Sequence, residues 1–261
     1  MSRPLLELGA RPVIAHRGAA AYAPENTLPS FELAVAAGAD ALELDVHLSA
    51  DGHVVVIHDP TLTRTTAHAG VIAELSLAHI QAADAGTRFT RDGRSFPFRE
   101  RGVRVPTLEE VLAQFPHTPL LIELKTAAAS DALRRTLERH GAAPRCVVGA
   151  FDHRALEDFR APPWRASASQ AEMIKMMMHV LFRRPLGAPR YQAIAIPPRW
   201  RGLPLPLGRI ARAAAPLGIP VHVWVVDDPD HARRLWRRGV TGIITNDPAA
   251  ILEARGANAA A

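Results

Sequence analysis

Three apolar runs of the chain end in side chains that could do chemistry: VIAHRG (residues 13–18), LELDVH (42–47) and LLIELK (120–125). Imidazoles could exchange protons near neutral pH, a guanidinium could bind anionic oxygens, and carboxylates could hold a cation. Buried strands usually end in neutral turn residues. Titratable groups at these strand ends therefore indicate that a charged ligand is handled there.

The carboxylates of two of these runs fall on one face of their strands. Because side chains alternate along a strand, Glu43, Asp45 and His47 share a face, and so do Glu123 and Lys125. Glu43, Asp45 and Glu123 brought together would need a counter-ion, and such hard oxygen ligands suit Mg²⁺ or Ca²⁺. Zinc is disfavoured, since the chain has neither an HExxH helix nor a Cys/His cluster. The alternative interpretation pairs Glu123 with Lys125 as a surface salt bridge.

Two histidines stand at predicted strand ends, each followed by a charged residue and a turn. His16 precedes Arg17, and His58 precedes Asp59. A pair of histidines flanking an anion can act as general base and general acid. Arg17 offers a planar donor fork that matches phosphate oxygens. A lone histidine is more often only a hydrogen-bonded polar residue, and the chain contains 12 of them.

Alternating strand and helix patterns predict the architecture that would position these groups. The chain has 261 residues, 48% of them hydrophobic, enough for one large core. Strand patterns alternate with helical ones, which predicts an α/β fold, a (β/α)8 TIM barrel, with residues 1–261 as a single domain. The nine predicted strands are 13–16, 41–48, 54–58, 120–125, 146–151, 165–169, 193–197, 221–226 and 242–245.

A barrel needs eight parallel strands, so one of the nine is surplus. The link SADG (49–52) is too short for a parallel crossover, which predicts an antiparallel hairpin with 54–58 as a return strand. A simple register around this turn places His58 opposite Glu43. The segment at about 59–105 lacks a clear strand and is predicted to be a small insertion over the C-terminal face of the barrel.

Composition restricts the partners of the chain. The net charge is +5, mostly from dispersed arginine, and no basic run is interleaved with aromatics, so nucleic-acid binding is not expected. Cys146 is the only cysteine, which excludes an intramolecular disulfide. No secretory signal or membrane span is recognisable, so a cytoplasmic location is expected. Peripheral membrane contact and the oligomeric state stay open.

The spaced combination HRG, PENT, ELD, IHD and ELK, continued by VHVWVVDD and GVTGIITNDP, resembles the glycerophosphodiester phosphodiesterase family. The resemblance extends from His16 to Pro248. It implies a TIM barrel with an insertion, a divalent cation, Mg²⁺ or Ca²⁺, and hydrolysis of a small-molecule glycerophosphodiester to glycerol 3-phosphate and an alcohol. It further implies that the substrate's own glycerol hydroxyl attacks phosphorus, after which water opens the cyclic phosphate.

The resemblance also assigns roles by position. It implies that His16 and His58 are the acid–base pair. It also implies that Glu43, Asp45 and Glu123 are the metal ligands, and that Arg17, Lys125 and Trp224 contact the substrate. The chain departs from the family at Val225 and Asp227, where a threonine and an asparagine are often found. An alternative of a different class is a catalytically silent barrel that only binds phosphorylated ligands.

The Met-rich stretch AEMIKMMMHVLFRRP (171–185) has two interpretations. It is a packed barrel helix, or it is an adaptable apolar surface for an acyl chain or a membrane interface, because methionine fits irregular apolar partners. Under the second interpretation the enzyme resembles a lysophospholipase D, which converts lysophospholipids to lysophosphatidic acid. The role of residues 173–182 therefore decides between two substrate classes.

Overall fold

Parallel strands arranged as a barrel form the centre of the molecule in the computed structural model, which describes residues 3–257. The strands are β1 Val13–His16, β2 Ala41–Leu48, β3 Val54–Val56, β4 Leu120–Leu124, β5 Cys146–Gly149, β6 Ile194–Ile196, β7 Arg199–Trp200, β8 Leu203–Pro204, β9 Val221–Val223 and β10 Gly242–Thr245. Seven of them lie side by side in the order β5-β4-β2-β1-β10-β9-β6.

The gap between β5 and β6 is closed by residues 166–167. Ala166 forms a parallel bridge to Val148 in β5, and Ser167 forms one to Ala193, next to β6. The predicted strand 165–169 is thus reduced to two isolated bridges, but it takes the eighth position of the barrel. The predicted (β/α)8 fold is confirmed.

Helices cover the outside of this barrel. In chain order the helices are α1 Leu28–Ala36, α2 Leu77–Ala82, α3 Leu108–Gln114, α4 Ser130–Arg139, α5 Gln170–Phe182, α6 Leu207–Ala214, α7 Pro229–Arg237 and α8 Pro248–Ala257. Of these, α2 lies within the segment 59–105 rather than on the barrel. A 3-10 segment, His153–Phe159, follows β5 in place of a longer helix. The starts of α3 and α5 are each fixed by a capping box, Thr107 with Glu110 and Ser169 with Glu172.

Strand β2 shows how the sequence alternation is used. Leu42, Leu44 and Val46 point outward into the layer between the strands and helices α1, α3 and α4. The alternate residues face the barrel interior, where Ala41 packs in a small apolar cluster with Ile14 and Leu121. Polar side chains therefore begin only beyond this apolar plug, toward the carboxyl ends of the strands.

The predicted hairpin is present, but its register was predicted wrongly. Strand β3 runs antiparallel to β2, with Val56 opposite Val46 and Val54 opposite Leu48. Continuing this register sets His58 against Leu44 rather than Glu43, a shift of one residue. The ladder itself ends at Val56, and His58 is held instead through its backbone carbonyl, which accepts a hydrogen bond from His47 Nε2 at 3.1 Å.

The segment 59–105 carries its own small apolar cluster. Ile72, Ile80 and Val103 pack there with Val55 and Ile57 of the hairpin region. Helix α2 and a short 3-10 turn are the helical elements of this segment. The cluster therefore attaches the segment to the β2–β3 hairpin.

A second hairpin, formed by β7 and β8, was not predicted. Its two-residue strands are antiparallel, with Trp200 opposite Leu203. Strands this short leave no periodic signal in a sequence. Among the described residues, no helix is long and apolar enough to span a membrane; a cytoplasmic location stays a prediction.

Candidate active site

The last residue of β1, His16, and the first residue of the following turn, Arg17, lie at the mouth of the barrel. Arg17 adopts a left-handed backbone conformation with φ of 54°, and Gly18 follows with φ of 86°. A Cβ atom at Gly18 would lie 2.4 Å from Ser30 Oγ, so only glycine fits this turn. The tight turn points the Arg17 amide at Glu43, whose Oε2 accepts its N–H at 3.0 Å.

Glu43, Asp45 and Glu123 meet at one point, where a ligand atom from each lies within 4.8 Å of the others. Their strands are adjacent, and Asp45 is directly opposite Glu123 in the β2–β4 register. Glu43 and Asp45 are almost fully buried, whereas a quarter of the Glu123 side chain is exposed. The strand alternation thus brings together the three carboxylates predicted from the sequence.

Lys125 and Arg17 supply positive charge to this cluster. Lys125 Nζ lies 2.8 Å from Asp45 Oδ1 and also contacts Glu123. Arg17 Nε lies 3.0 Å from Asp45 Oδ2, an ion pair without hydrogen-bond alignment. The alternative interpretation of a surface pair between Glu123 and Lys125 is therefore wrong in one respect, because Lys125 is largely buried and bridges two carboxylates.

The buried charges shift the pKa values of these acids in opposite directions. Burial, together with the negative charges of Asp45 and Glu123, raises the pKa of Glu43 well above its usual value. Burial alone would also raise the pKa of Asp45, but the charges of Lys125 and Arg17 lower it overall. Glu43 is thus the carboxylate that most lacks a cationic partner.

The donor set fits a hard divalent cation. Arg17, Lys125 and Arg64 are the cations of a connected group that contains five carboxylates: Glu25, Glu43, Asp45, Asp59 and Glu123. Five carboxylates against three cations leave a net charge of −2 when all are ionised. One Mg²⁺ or Ca²⁺ ion would balance that charge, and carboxylate oxygens are its preferred ligands.

His16 is held by a polar chain that begins at the end of the neighbouring strand β10. Its Nδ1 lies 2.7 Å from Asn246 Oδ1, after the end of β10. Asn246 in turn donates its backbone N–H and its Nδ2–H to the two carboxylate oxygens of Asp227, at 2.7 and 2.8 Å. Burial, and then the charge of Arg17, lowers the pKa of His16, which keeps the ring neutral near neutral pH.

His58 is held by a second polar chain. Its Nδ1 lies 2.6 Å from Asp59 Oδ1, and Arg64 Nε donates to Asp59 Oδ2 at 2.7 Å. Arg64 also donates twice to Glu25, which accepts a further hydrogen bond from Arg17 at 2.8 Å. The hydrogen bond from Arg64 lowers the pKa of Asp59 to about 2. Arg64 therefore links the two sides of the site.

A cavity of about 270 Å³ opens over these groups. His16, Arg17, Glu43, His58, Glu123 and Lys125 line one side of it. Trp224 forms part of the wall and meets Phe151 edge to face, with ring centroids 6.4 Å apart. The predicted site residues thus surround one space, except Asp45, which lies below it under Lys125.

Several residues of this site had no predicted role. Asn26 holds Asp45 by donating Nδ2–H to Oδ2 at 2.8 Å, and it does so from a left-handed backbone conformation in the PENT turn. Glu25 and Arg64 belong to the PENT and TRTT stretches, and Asn246 belongs to TND. These residues could be noticed in the sequence only as members of these motifs, and the motifs do not indicate which contacts the side chains make.

Comparison with known proteins identifies the family. The model of the glycerophosphoryl diester phosphodiesterase family matches residues 16–250. The chain belongs to this family. Membership confirms the resemblance found in the sequence and the prediction of a phosphodiesterase enzyme.

Two proteins similar to this glycerophosphoryl diester phosphodiesterase family member match it over nearly their full length. A glycerophosphodiester phosphodiesterase of Caldanaerobacter subterraneus is 31% identical over 249 residues, which cover 92% of this chain and 96% of the relative. The crystal structure of the Agrobacterium tumefaciens enzyme has a TM-score of 0.75 and 27% identity, covering 94% of this chain and 99% of that one.

A further solved structure contains a reaction product. It is an Oleispira antarctica phosphodiesterase in complex with sn-glycerol 3-phosphate, 27% identical to this family member with a TM-score of 0.75. The match covers 94% of this chain and 96% of that chain. The likeness therefore extends to a protein crystallised with the product expected from the sequence.

Proposed function

We propose that the chain hydrolyses glycerophosphodiesters to glycerol 3-phosphate and an alcohol, with His16 and His58 as the acid–base pair. The observation that carries the proposal is the single cavity lined by both histidines, by Arg17 and Lys125, and by carboxylates of the acidic cluster. Each chemical role that the reaction needs has a side chain there. The product complex of the Oleispira antarctica relative supports the same assignment.

The hydrogen bonding of the His16 ring favours this residue as the base. Its Nδ1–H is donated to Asn246, so Nε2 keeps a lone pair that can take the proton of the attacking glycerol hydroxyl. As the new bond to phosphorus forms, the bond to the leaving alkoxide breaks, and a proton from His58 neutralises that oxygen. In the second step water attacks the cyclic phosphate, and the histidines return the protons in reverse.

Arg17 and Lys125 would bind the phosphoryl oxygens, where negative charge grows during attack. Glu43, Asp45 and Glu123 would hold the divalent cation, which when bound supplies Lewis-acid stabilisation of that charge. An internal hydroxyl nucleophile gains from its high effective concentration. Trp224 would pack against the glycerol or the leaving group as part of the wall.

The proposal is tested by glycerol 3-phosphate release from glycerophosphocholine with Mg²⁺, with Ca²⁺ and with EDTA. We expect metal-dependent turnover, reduced by about 10²- to 10⁴-fold in His16→Ala and His58→Ala. His140→Ala, at the exposed end of α4, is the matched control. Turnover that is indifferent to EDTA would contradict the metal site, and near-normal activity of either histidine variant would remove that residue from the mechanism.

A second candidate substrate is a lysophospholipid, and the apolar wall of the cavity favours it. Met173, Ile174 and Met177 of α5 line the cavity together with Trp200 and Leu205. A small polar glycerophosphodiester has no apolar group to bury against such a wall, whereas the acyl chain of a lysophospholipid would pack against it. Release of lysophosphatidic acid from lysophosphatidylcholine tests this candidate, and Met177→Ser should raise KM for that substrate but not for glycerophosphocholine.

We also propose that residues 59–105 are an insertion within a single domain. Support comes from their apolar cluster, which is completed by Val55 and Ile57 of the hairpin region. Arg64, which lies in this segment, bonds Glu25 beside the barrel mouth. A chain from which 61–103 is replaced by a short Gly/Ser linker should lose activity, since it loses Arg64 as well as the cluster.

A further inference from the structure

An exposed apolar surface borders the cavity on the side of α5 and the β7–β8 hairpin. We call it the apolar rim, and it consists of Ile174, Met178, Leu181, Phe182, Trp200 and Leu203. Phe182 is 64% exposed and Leu203 is 71% exposed, the highest values among the large apolar residues that the structure describes. Within α5 only Met176 and Val180 are buried, so the packed-helix interpretation accounts for one face of the helix and leaves the other uncovered by any residue in the range 3–257.

Basic residues interleave with the apolar rim. From residue 173 to residue 226 the sequence contains no Asp or Glu. Five exposed cations lie beside the rim: Lys175, Arg183, Arg184, Arg199 and Arg201. Within residues 3–257, none of these five forms an ion pair. The preceding acid, Glu172, is already paired with Arg160.

The apolar rim is continuous with the cavity. Ile174 and Trp200 belong both to the rim and to the cavity wall that leads down to His16 and His58. A molecule held against the rim would therefore reach the proposed site without crossing water. This continuity separates the rim from scattered exposed residues such as Leu33 on α1.

We infer that the apolar rim docks onto an anionic lipid bilayer. Exposed aromatic and aliphatic side chains would enter the headgroup region, and the surrounding arginines would contact lipid phosphates, the combination typical of interfacial binding segments. The inference goes beyond the proposed hydrolysis, because it concerns where the enzyme binds rather than which bond it cleaves.

A second copy of the chain is a poorer occupant of this surface. Two copies joined rim to rim would bring ten unpaired basic side chains together with no acidic residue from this stretch between them, five from each copy. Like charges across an interface oppose association. An anionic membrane supplies the missing negative charge together with an apolar interior.

Vesicle co-sedimentation of the full chain tests the inference without any turnover, so its failure would leave the proposed hydrolysis untouched. Vesicles of equal parts phosphatidylcholine and phosphatidylglycerol should bind the chain, and pure phosphatidylcholine vesicles should bind it much less. The double variant Phe182→Ser/Leu203→Ser should lower the partition coefficient by about tenfold or more. Arg183→Gln/Arg184→Gln should lower it by a similar factor and remove part of its salt dependence.

Matched controls use residues of the same type elsewhere. Leu33→Ser/Leu217→Ser removes two apolar side chains that are each 44% exposed, and Arg237→Gln/Arg238→Gln removes an exposed arginine pair at the end of α7. Both controls should bind vesicles as the unchanged chain does. All variants should keep their turnover of soluble glycerophosphocholine, since none of the substituted residues lines the cavity.

Three outcomes would overturn the inference. One is no binding to the anionic vesicles, and another is equal loss of binding in the control and rim variants. The third is a dimer in sedimentation velocity that dissociates in Phe182→Ser/Leu203→Ser, since it would assign the rim to a second copy. Should the apolar variant fail to fold, the arginine variant and its control decide alone.

Discussion

Asp227 fixes the orientation of Asn246, and through it the protonation of His16. A carboxylate can only accept hydrogen bonds, so the Asn246 group facing Asp227 Oδ2 at 2.8 Å must be its Nδ2–H₂. The amide oxygen of Asn246 is then the atom 2.7 Å from His16 Nδ1. That oxygen accepts the Nδ1–H, which leaves His16 Nε2 free to accept a proton in the cavity.

Removing Asp227 should therefore slow the reaction while barely changing substrate binding. In Asp227→Ala the Asn246 amide is free to flip, and we expect kcat to fall by about tenfold or more with KM little changed, a smaller loss than removal of a general acid–base group causes. Asp227→Asn should also lower kcat, because its single amide oxygen cannot accept from both the backbone N–H and the Nδ2–H of Asn246. An unaltered kcat in Asp227→Ala would show that His16 needs no such support.

Arg64 connects the hydrogen-bonded groups beside His58 with those beside Arg17 and His16, so its removal should disturb the positions of both histidines. It bonds Asp59 beside His58 and Glu25 beside Arg17. We expect Arg64→Met to lower kcat/KM by about 10- to 100-fold, the range seen when groups that orient the ligands of a site are removed. Arg64→Lys should recover little, since an ammonium group has three donors and cannot replace the four hydrogen bonds that the guanidinium makes to Asp59 and Glu25.

Arg91→Met is the matched control for Arg64. It lies in the same segment, where its guanidinium stacks 4.6 Å from the centre of the Tyr22 ring. Activity in this variant should be close to that of the unchanged chain. Equal losses in the two variants would mean that the segment, rather than the Arg64 bridge, is what matters.

The fold was largely predictable because the strongest strands are local patterns. Strands β1, β2 and β10 have the predicted bounds, since each is a run of apolar residues closed by turn residues or by the motif that follows. The stretch RASAS has few β-branched or large apolar residues, and it forms two bridges instead of a strand. The register error at His58 arose because a turn length alone does not set which residues pair.

The site was predictable only where one strand carries several of its groups. Alternation sufficed to bring Glu43 and Asp45 to one face and Glu123 opposite them. His16 and Asn246 are 230 residues apart in the sequence, and no local rule joins them. The same holds for Arg64 and Glu25, whose contact depends on how the segment after the hairpin folds back over the barrel mouth.

The acidic cluster should make thermal stability depend on divalent cations. Binding at about 100 times the Kd stabilises a folded protein by about 2.7 kcal/mol, so Mg²⁺ or Ca²⁺ should raise Tm by several degrees in differential scanning fluorimetry. In Glu43→Gln the titration midpoint should move to higher metal concentration. Glu109→Gln, on the exposed face of α3, should titrate as the unchanged chain does. Identical midpoints for all three proteins would contradict a cation at Glu43.

His222 should make the fold sensitive to mild acid. It lies in the barrel interior, where its Nε2–H donates to the backbone carbonyl of Leu5 at 2.9 Å. Burial lowers the pKa of His222 to about 4, against about 6.5 for an exposed histidine. Between these values the unfolded chain binds a proton that the folded chain does not, so the free energy of unfolding falls as the pH falls through 6.5.

The loss contributed by His222 should reach about 3 kcal/mol near pH 4 and level off below it. His222→Gln can keep an N–H donor for Leu5 but cannot titrate, so its unfolding free energy should depend less on pH across this window. Urea unfolding at several pH values between 7 and 4 measures the difference, and His140→Gln at an exposed position should follow the unchanged chain. Parallel curves for His222→Gln and the unchanged chain would show that His222 does not account for the acid sensitivity.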